Sequence, residues 1–139
     1  MTTLIQLRNR AFLRQALAIL GRHMAAGERI GRRTLLLKTL ECRPPSYFVQ
    51  YDRAAAVLRF IERRQMPPDN SERREMWLEI YSRVHELTNG PRHLKPHKAL
   101  SFVLNFTQPT RYFISLRTAD RILGRAVRCN TYAVAAGAK

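Results

Sequence analysis

The chain contains an internal repeat in which two segments share a motif at an offset of 65 residues. Residues 44–58 read PPSYFVQYDRAAAVL and residues 109–123 read PTRYFISLRTADRIL. Five positions of these 15-residue segments are identical without a gap, and weaker similarity extends over residues 12–58 and 77–123. A repeat of this length indicates a tandem duplication, so both copies must be compatible with the same secondary structure.

Apolar residues at helical spacing, interrupted by proline and glycine, divide each copy into three helices. Pro44 and Pro45 end the second helix of the first copy because proline lacks the amide donor, and Pro109 has the same role in the second copy. Ser71 and Ser115 stand at N-cap positions, while Gly27 and Gly90 mark helix ends. We expect helices over residues 3–25, 32–41, 51–65, 71–89, 96–106 and 116–128.

The predicted architecture is all-α, with two tandem three-helix units packed as one compact pseudo-symmetric domain. The units cover residues 1–66 and 71–128, and residues 129–139 form a C-terminal tail. Two helices joined by a connector and supported by an earlier helix have the layout of helix-turn-helix units, although the connector of about eight residues exceeds the usual three or four. The connector tyrosines, Tyr47 and Tyr112, are predicted to fill the core, with stacking on nucleic-acid bases as the alternative.

The charge of the chain is strongly positive. The 139 residues include 25 Lys and Arg against 10 Asp and Glu, giving a net charge of +15, and 21 of the cationic residues are arginine. Arginine presents a planar donor fork that matches phosphate, so this excess predicts a polyanionic partner. Nucleic acid is the expected partner, with DNA favoured over RNA, whereas an acidic protein or an anionic membrane surface would also attract such a charge.

The third helix of each copy holds most of the candidate nucleic-acid contacts, because its apolar residues share an inward face and leave arginines outside. Thr118, Arg117 and Arg121, or Gln50 and Arg53 in the first copy, are the candidates for base edges. The predicted nucleic-acid-binding residues are Arg53, Arg59, Arg63, Arg64, Lys95, Lys98, Arg111, Arg117, Thr118, Arg121, Arg125 and Arg128.

Catalytic and metal-binding patterns are sparse. Two cysteines are too few for a disulfide framework or a zinc ribbon. His93 and His97 are four residues apart, but Pro96 stands between them and no acidic or cysteine partner is near in sequence. No phosphate-binding loop, dinucleotide loop or hydrolase motif occurs. The sequence therefore predicts a non-enzymatic protein without a metal ion or cofactor.

Three functional hypotheses follow. The first is a cytoplasmic, nucleoid-associated or virion-associated protein that binds double-stranded DNA as a regulator or architectural factor of a phage, mobile element or bacterial chromosome. The second is a structural subunit of a virion or ribonucleoprotein, in a homo-oligomer or larger assembly, whose basic surface contacts RNA, packaged DNA or an acidic protein. The third, membrane binding through the amphipathic residues 1–25, is disfavoured because this segment takes part in the repeat.

Overall fold

The protein is all-α, as predicted, in a computed structural model that describes residues 2–67 and 71–133. The helices of this part of the chain are α1 (Leu4–Ala25), α2 (Arg32–Leu40), α3 (Tyr51–Arg64), α4 (Ser71–Asn89), α5 (Pro96–Phe106) and α6 (Leu116–Ala133). The last helix extends five residues beyond its predicted end at residue 128. Residues 134–139, the rest of the predicted tail, lie outside the described part. The side chain of Ser71 also lies outside it, so the predicted cap at Ser71 stays a prediction.

Local hydrogen bonds explain where the helices begin and end. Thr3 and Gln6 form a capping box at the start of α1, with the Gln6 amide 3.1 Å from Thr3 Oγ1 and the Thr3 amide 2.9 Å from Gln6 Oε1. The chain leaves α1 through Gly27, whose φ of +71° is readily adopted by glycine. Ser115 Oγ accepts a hydrogen bond of 3.1 Å from the Thr118 amide, which confirms its predicted capping role.

The six helices form two hydrophobic clusters, and each cluster combines helices from both sequence repeats. Helices α3, α4 and α5 surround the fully buried Trp77, while α1, α2 and α6 surround the fully buried Phe12. Tyr47, from the first connector, belongs to the Trp77 cluster. Tyr112, from the second connector, meets Phe12 edge to face at a centroid distance of 5.2 Å. The third helix of each repeat thus packs on the first two helices of the other repeat.

The packing of α3 and α6 on the opposite repeats, which we call the exchange, separates the pairs of helices that were predicted to form helix-turn-helix units. Within the described residues, α2 does not pack against α3, nor α5 against α6; α2 packs on α6 and α5 packs on α3. Both α3 and α6 turn the matched alanine and further aliphatic residues inward, so their apolar patterns do not distinguish the two pairings. The division of the sequence at residues 66 and 71 stays a prediction about duplication, and the packing units cross it.

Positions that match across the repeat are largely core positions. Proline, tyrosine and alanine of the shared motif are buried in both copies, as are the paired large residues of the first helices. These pairs are Pro44 and Pro109, Tyr47 and Tyr112, Ala54 and Ala119, and Phe12 and Trp77. The matching burial supports the pseudo-symmetry, which itself stays a prediction.

Candidate nucleic-acid interface

Helices α1 and α6 enclose a groove of about 490 Å³ that is lined by four arginines. Arg8 and Arg10 come from α1, and Arg121 and Arg125 come from α6, where their spacing of four residues places them on one face. Thr118 lies on the same wall, and the described lining contains no acidic residue. We call this site the α1/α6 groove, and its charge is suited to a phosphate chain.

The single acidic residue of α6 is held away from the groove lining. Asp120 accepts a hydrogen bond of 2.7 Å from Arg32 Nε, and its backbone oxygen accepts another of 3.1 Å from Arg32 Nη2. Arg32 opens α2, so this ion pair also fastens α2 to α6. The groove therefore keeps its positive charge although α6 carries a carboxylate.

Arg8 is the least exposed of the groove arginines. Its Nε and Nη2 donate to Asn9 Oδ1 at 3.1 and 2.9 Å, so a neutral group accepts these bonds. Burial, followed by the charge of Arg73, lowers the pKa of Arg8. An anion between the two guanidinium groups would relieve this repulsion.

Arg8 also lines a second cavity, between the two hydrophobic clusters, which we call the junction cavity. Its volume is about 490 Å³, and its walls come from the start of α1, both connectors and the first turns of α3 and α4. Arg53, Arg73 and Arg111 line it together with Arg8. The α1/α6 groove and the junction cavity thus share one arginine and form a continuous basic region.

Two predicted contact residues lie in the junction cavity rather than in the groove. Arg53 lines it from the first turn of α3. Arg111 lines it from the second connector, where Arg111 Nη2 is 2.9 Å from Glu75 Oε1 and its guanidinium lies 4.5 Å from the centroid of the Phe113 ring. Part of the charge of Arg111 is therefore already compensated within the protein.

The remaining predicted residues are dispersed. Arg117 and Arg128 are exposed on α6. Arg59 lines a separate groove between α3, α4 and α5, which also contains Glu62. The other predicted cations are exposed near helix ends, Arg63 and Arg64 in the last turn of α3 and Lys95 and Lys98 at the start of α5.

Sequence reasoning missed Arg8 and Arg10, because the helix-turn-helix layout directed attention to the third helices. A signal was present in the repeat itself. The first helix of the first copy contains four arginines and no acidic residue, whereas its counterpart contains four glutamates and three arginines. This difference could have marked α1 as a cationic surface.

A partly buried carboxylate holds both connectors against α4. Glu79 Oε2 accepts from Tyr47 Oη at 2.5 Å and from the Thr110 amide at 3.2 Å, while Glu79 Oε1 accepts from Thr110 Oγ1 at 2.5 Å. Arg83 Nη1 donates to Tyr47 Oη at 2.7 Å. Burial and the bond to Glu79 raise the pKa of Tyr47, and burial raises the pKa of Tyr112 to about 12. Both tyrosine rings are committed to the core, which leaves them unavailable for base stacking.

Similarity to known proteins does not indicate a function for this chain. No protein family, curated protein or solved structure matches the chain. Among the described residues, no three His, Cys, Asp or Glu side chains cluster as metal ligands would. In the same residues, no helix has the length and apolar character needed to cross a membrane. Functional inference therefore depends on the geometry and charge of this chain.

Proposed function

We propose that the protein binds nucleic acid, with duplex DNA favoured, through the α1/α6 groove. The observation that supports this proposal is the convergence of four arginines from two helices on one groove whose described lining lacks an acidic residue. Each guanidinium can donate two parallel hydrogen bonds to a phosphate. Such contacts position a protein on the nucleic-acid backbone and supply most of the salt-dependent affinity.

The exposed arginines of α6 extend the groove along the helix. Arg117, Arg121, Arg125 and Arg128 follow one another at intervals of four, four and three residues, which places them on one side of the helix. At 1.5 Å per residue this stripe is about 16 Å long, and duplex DNA presents one negative charge per ~1.7 Å of its axis. A regulatory or architectural DNA-binding protein would use α6 as its principal contact and α1 as support.

A salt series with three ligands tests the proposal. Labelled duplex DNA, single-stranded DNA and structured RNA are titrated with the full chain, and the affinity is followed against salt concentration. If the four groove arginines each neutralise one phosphate, the logarithmic slope for the duplex is about 3.6. We expect the preference for duplex DNA to persist at high salt. A single shared affinity for all three ligands would contradict duplex recognition.

A double charge reversal locates the interface. Arg121→Glu with Arg125→Glu removes two charge-assisted contacts, so duplex affinity falls about 100-fold and the salt slope falls by about 1.8. The matched control, Arg22→Glu with Arg29→Glu, changes the net charge equally at exposed positions outside the groove. Equal losses in both variants would show that total charge, rather than this groove, determines binding.

The structural-subunit hypothesis gives the opposite result in the same titration. A basic subunit that works only within a large assembly has no measurable affinity for free duplex at physiological salt. Sedimentation velocity of the purified chain then shows large particles of defined size. That pair of results would replace the proposed function with the assembly hypothesis.

A further inference from the structure

The junction cavity combines cationic and aromatic side chains, a combination that the α1/α6 groove lacks. Phe48 and Phe113, which are equivalent in the repeat, both line it and are half-buried. No acidic residue belongs to its described lining. Its volume of about 490 Å³ falls within the range of small-ligand sites, roughly 300–1,000 Å³.

The cationic part of the cavity is concentrated near the start of three helices. Arg8 comes from α1, Arg53 from the first turn of α3 and Arg73 from the first turn of α4. Burial makes the charge on Arg8 costly, and the charge of Arg73, which lines the same cavity, adds to that cost. The start of α3 also faces this region, since Gln50, its N-cap residue, lines the cavity without a side-chain capping bond, while Asp52 of the first turn does not line it. An anionic group would be stabilised there.

The aromatic part of the cavity is centred on Phe48. Its backbone has a φ of 57°, in the left-handed region that a bulky residue seldom adopts, and its amide donates to Ser46 Oγ at 3.0 Å. Arg111 already lies over the ring of Phe113 at 4.5 Å, which leaves Phe48 as the aromatic partner for a ligand. Strained residues held by their surroundings are common at ligand sites.

We propose that the junction cavity binds a nucleoside phosphate, with the phosphate against Arg8, Arg53 and Arg73 and the base against Phe48. A ligand with a charged end and a flat aromatic end matches the two parts of the cavity. The nucleotide can be free or can be the phosphorylated end of a single strand. This inference does not depend on duplex binding, since Arg53, Arg73 and Phe48 lie outside the α1/α6 groove and Arg8 is the one arginine that the two sites share.

Calorimetric titration of the full chain tests the ligand class. The probes are adenosine monophosphate, adenosine and inorganic phosphate, each at the same salt concentration. We expect the monophosphate to bind at least about tenfold more tightly than either part alone, because base stacking and charge-assisted hydrogen bonds each contribute. Equal binding of inorganic phosphate, or no heat with the monophosphate at millimolar concentration, would overturn the proposal.

Two variants separate the two ends of the site. Arg53→Gln weakens binding of the monophosphate about tenfold or more by removing a charged donor. Phe48→Asn removes the ring while tolerating the left-handed backbone, so it weakens the monophosphate about tenfold and leaves inorganic phosphate unchanged. The control is Arg22→Gln, an exposed arginine outside the cavity. Far-UV circular dichroism and urea unfolding confirm that each variant is folded. Unchanged binding in both cavity variants, or an equal loss in the control, would contradict the assignment.

A titration with an oligonucleotide shows whether the cavity binds a free nucleotide or the phosphorylated end of a strand. A 5′-phosphorylated tetranucleotide that binds more tightly than the free monophosphate assigns the cavity to strand ends, and the reverse order assigns it to free nucleotides. The variant Arg121→Glu with Arg125→Glu keeps its affinity for the monophosphate. Loss of duplex binding with retained nucleotide binding therefore distinguishes failure of one proposal from failure of the other.

Discussion

Helices α1 and α4 are counterparts in the repeat, and they agree on their buried faces but differ in charge. Phe12 of α1 and Trp77 of α4 are both fully buried, each in its own cluster. Outside these buried positions, Arg10 of α1 corresponds to Glu75, and Arg14 corresponds to Glu79. The two helices therefore share a packing surface and differ in the charge that they carry at corresponding positions.

The two glutamates of α4 have structural partners. Glu75 pairs with Arg111, and Glu79 accepts hydrogen bonds from Tyr47 and Thr110. Because α1 has no acidic residue, its arginines have no such carboxylates on their own helix. One first helix thus fixes the connectors, and the other supplies cations to a groove.

The third helices, α3 and α6, also differ in charge at corresponding positions. Arg121 and Arg125 of α6 correspond to Ala56 and Phe60 of α3. The face of α3 equivalent to the groove wall of α6 is therefore less cationic. Repeated residues build the two cores, and divergent residues make the surface of α6 more basic than the equivalent surface of α3.

The largest expected effect is a loss of stability on truncating the buried aromatic residue that each first helix contributes to its core. Phe12→Ala and Trp77→Ala each lower the free energy of unfolding by about 3–5 kcal/mol, because each leaves a cavity in a fully buried cluster. Since both clusters contain helices from both repeats, each variant unfolds in one cooperative transition in urea. Circular dichroism and intrinsic fluorescence that gave separate midpoints would show that the clusters unfold independently.

The next largest effect is a loss of duplex affinity, which tests the charge difference between α6 and α3. The double charge reversal in α6, at Arg121 and Arg125, lowers duplex affinity about 100-fold, or about 2.8 kcal/mol. The same reversal in α3, at Arg59 and Arg63, changes it by less than about threefold at physiological salt, because these residues lie outside the groove. Fluorescence anisotropy with one labelled duplex compares the two. Equal losses would show that both third helices contact the duplex.

The sequence predicted the helices well because their ends depend on local chemistry. Proline at residue 96 and the Ser115 cap act within one turn, so the bounds of α5 and the start of α6 could be placed from neighbouring residues. The exchange of α3 and α6 could not be predicted, since both helices carry apolar residues at helical spacing and a periodic pattern does not distinguish the two pairings.

The candidate site was predicted in part for the same reason. Thr118, Arg121 and Arg125 were identified as exposed residues of a helix, which requires only the period of that helix. Arg8 joins them because α6 packs on α1, a contact between residues more than 100 positions apart in sequence. A site formed by long-range packing needs the tertiary structure to be recognised.

A smaller effect concerns the reversed charges on the first helices. Glu79→Gln lowers the free energy of unfolding by about 2 kcal/mol, because a carboxylate with little exposure loses charge-assisted bonds to both connectors. The counterpart Arg14→Gln, at an exposed position, stays within about 0.5 kcal/mol. Urea denaturation of both variants measures the difference. Equal values would mean that Glu79 is no more structural than its counterpart.

The smallest effect concerns the ion pair between Arg32 and Asp120, which joins helices from the two copies and exists in only one of the two clusters. The corresponding residues are His97 and Ala55. The Phe12 cluster therefore has an ion pair between two helices that the Trp77 cluster cannot form. Both side chains are about half exposed, and a double-mutant cycle with Arg32→Gln and Asp120→Asn should give a coupling of about 0.2–1 kcal/mol. The coupling falls in 1 M salt, because exposed charges are screened there. A coupling that is absent at low salt would show that the ion pair between the two side chains does not help to hold α2 against α6.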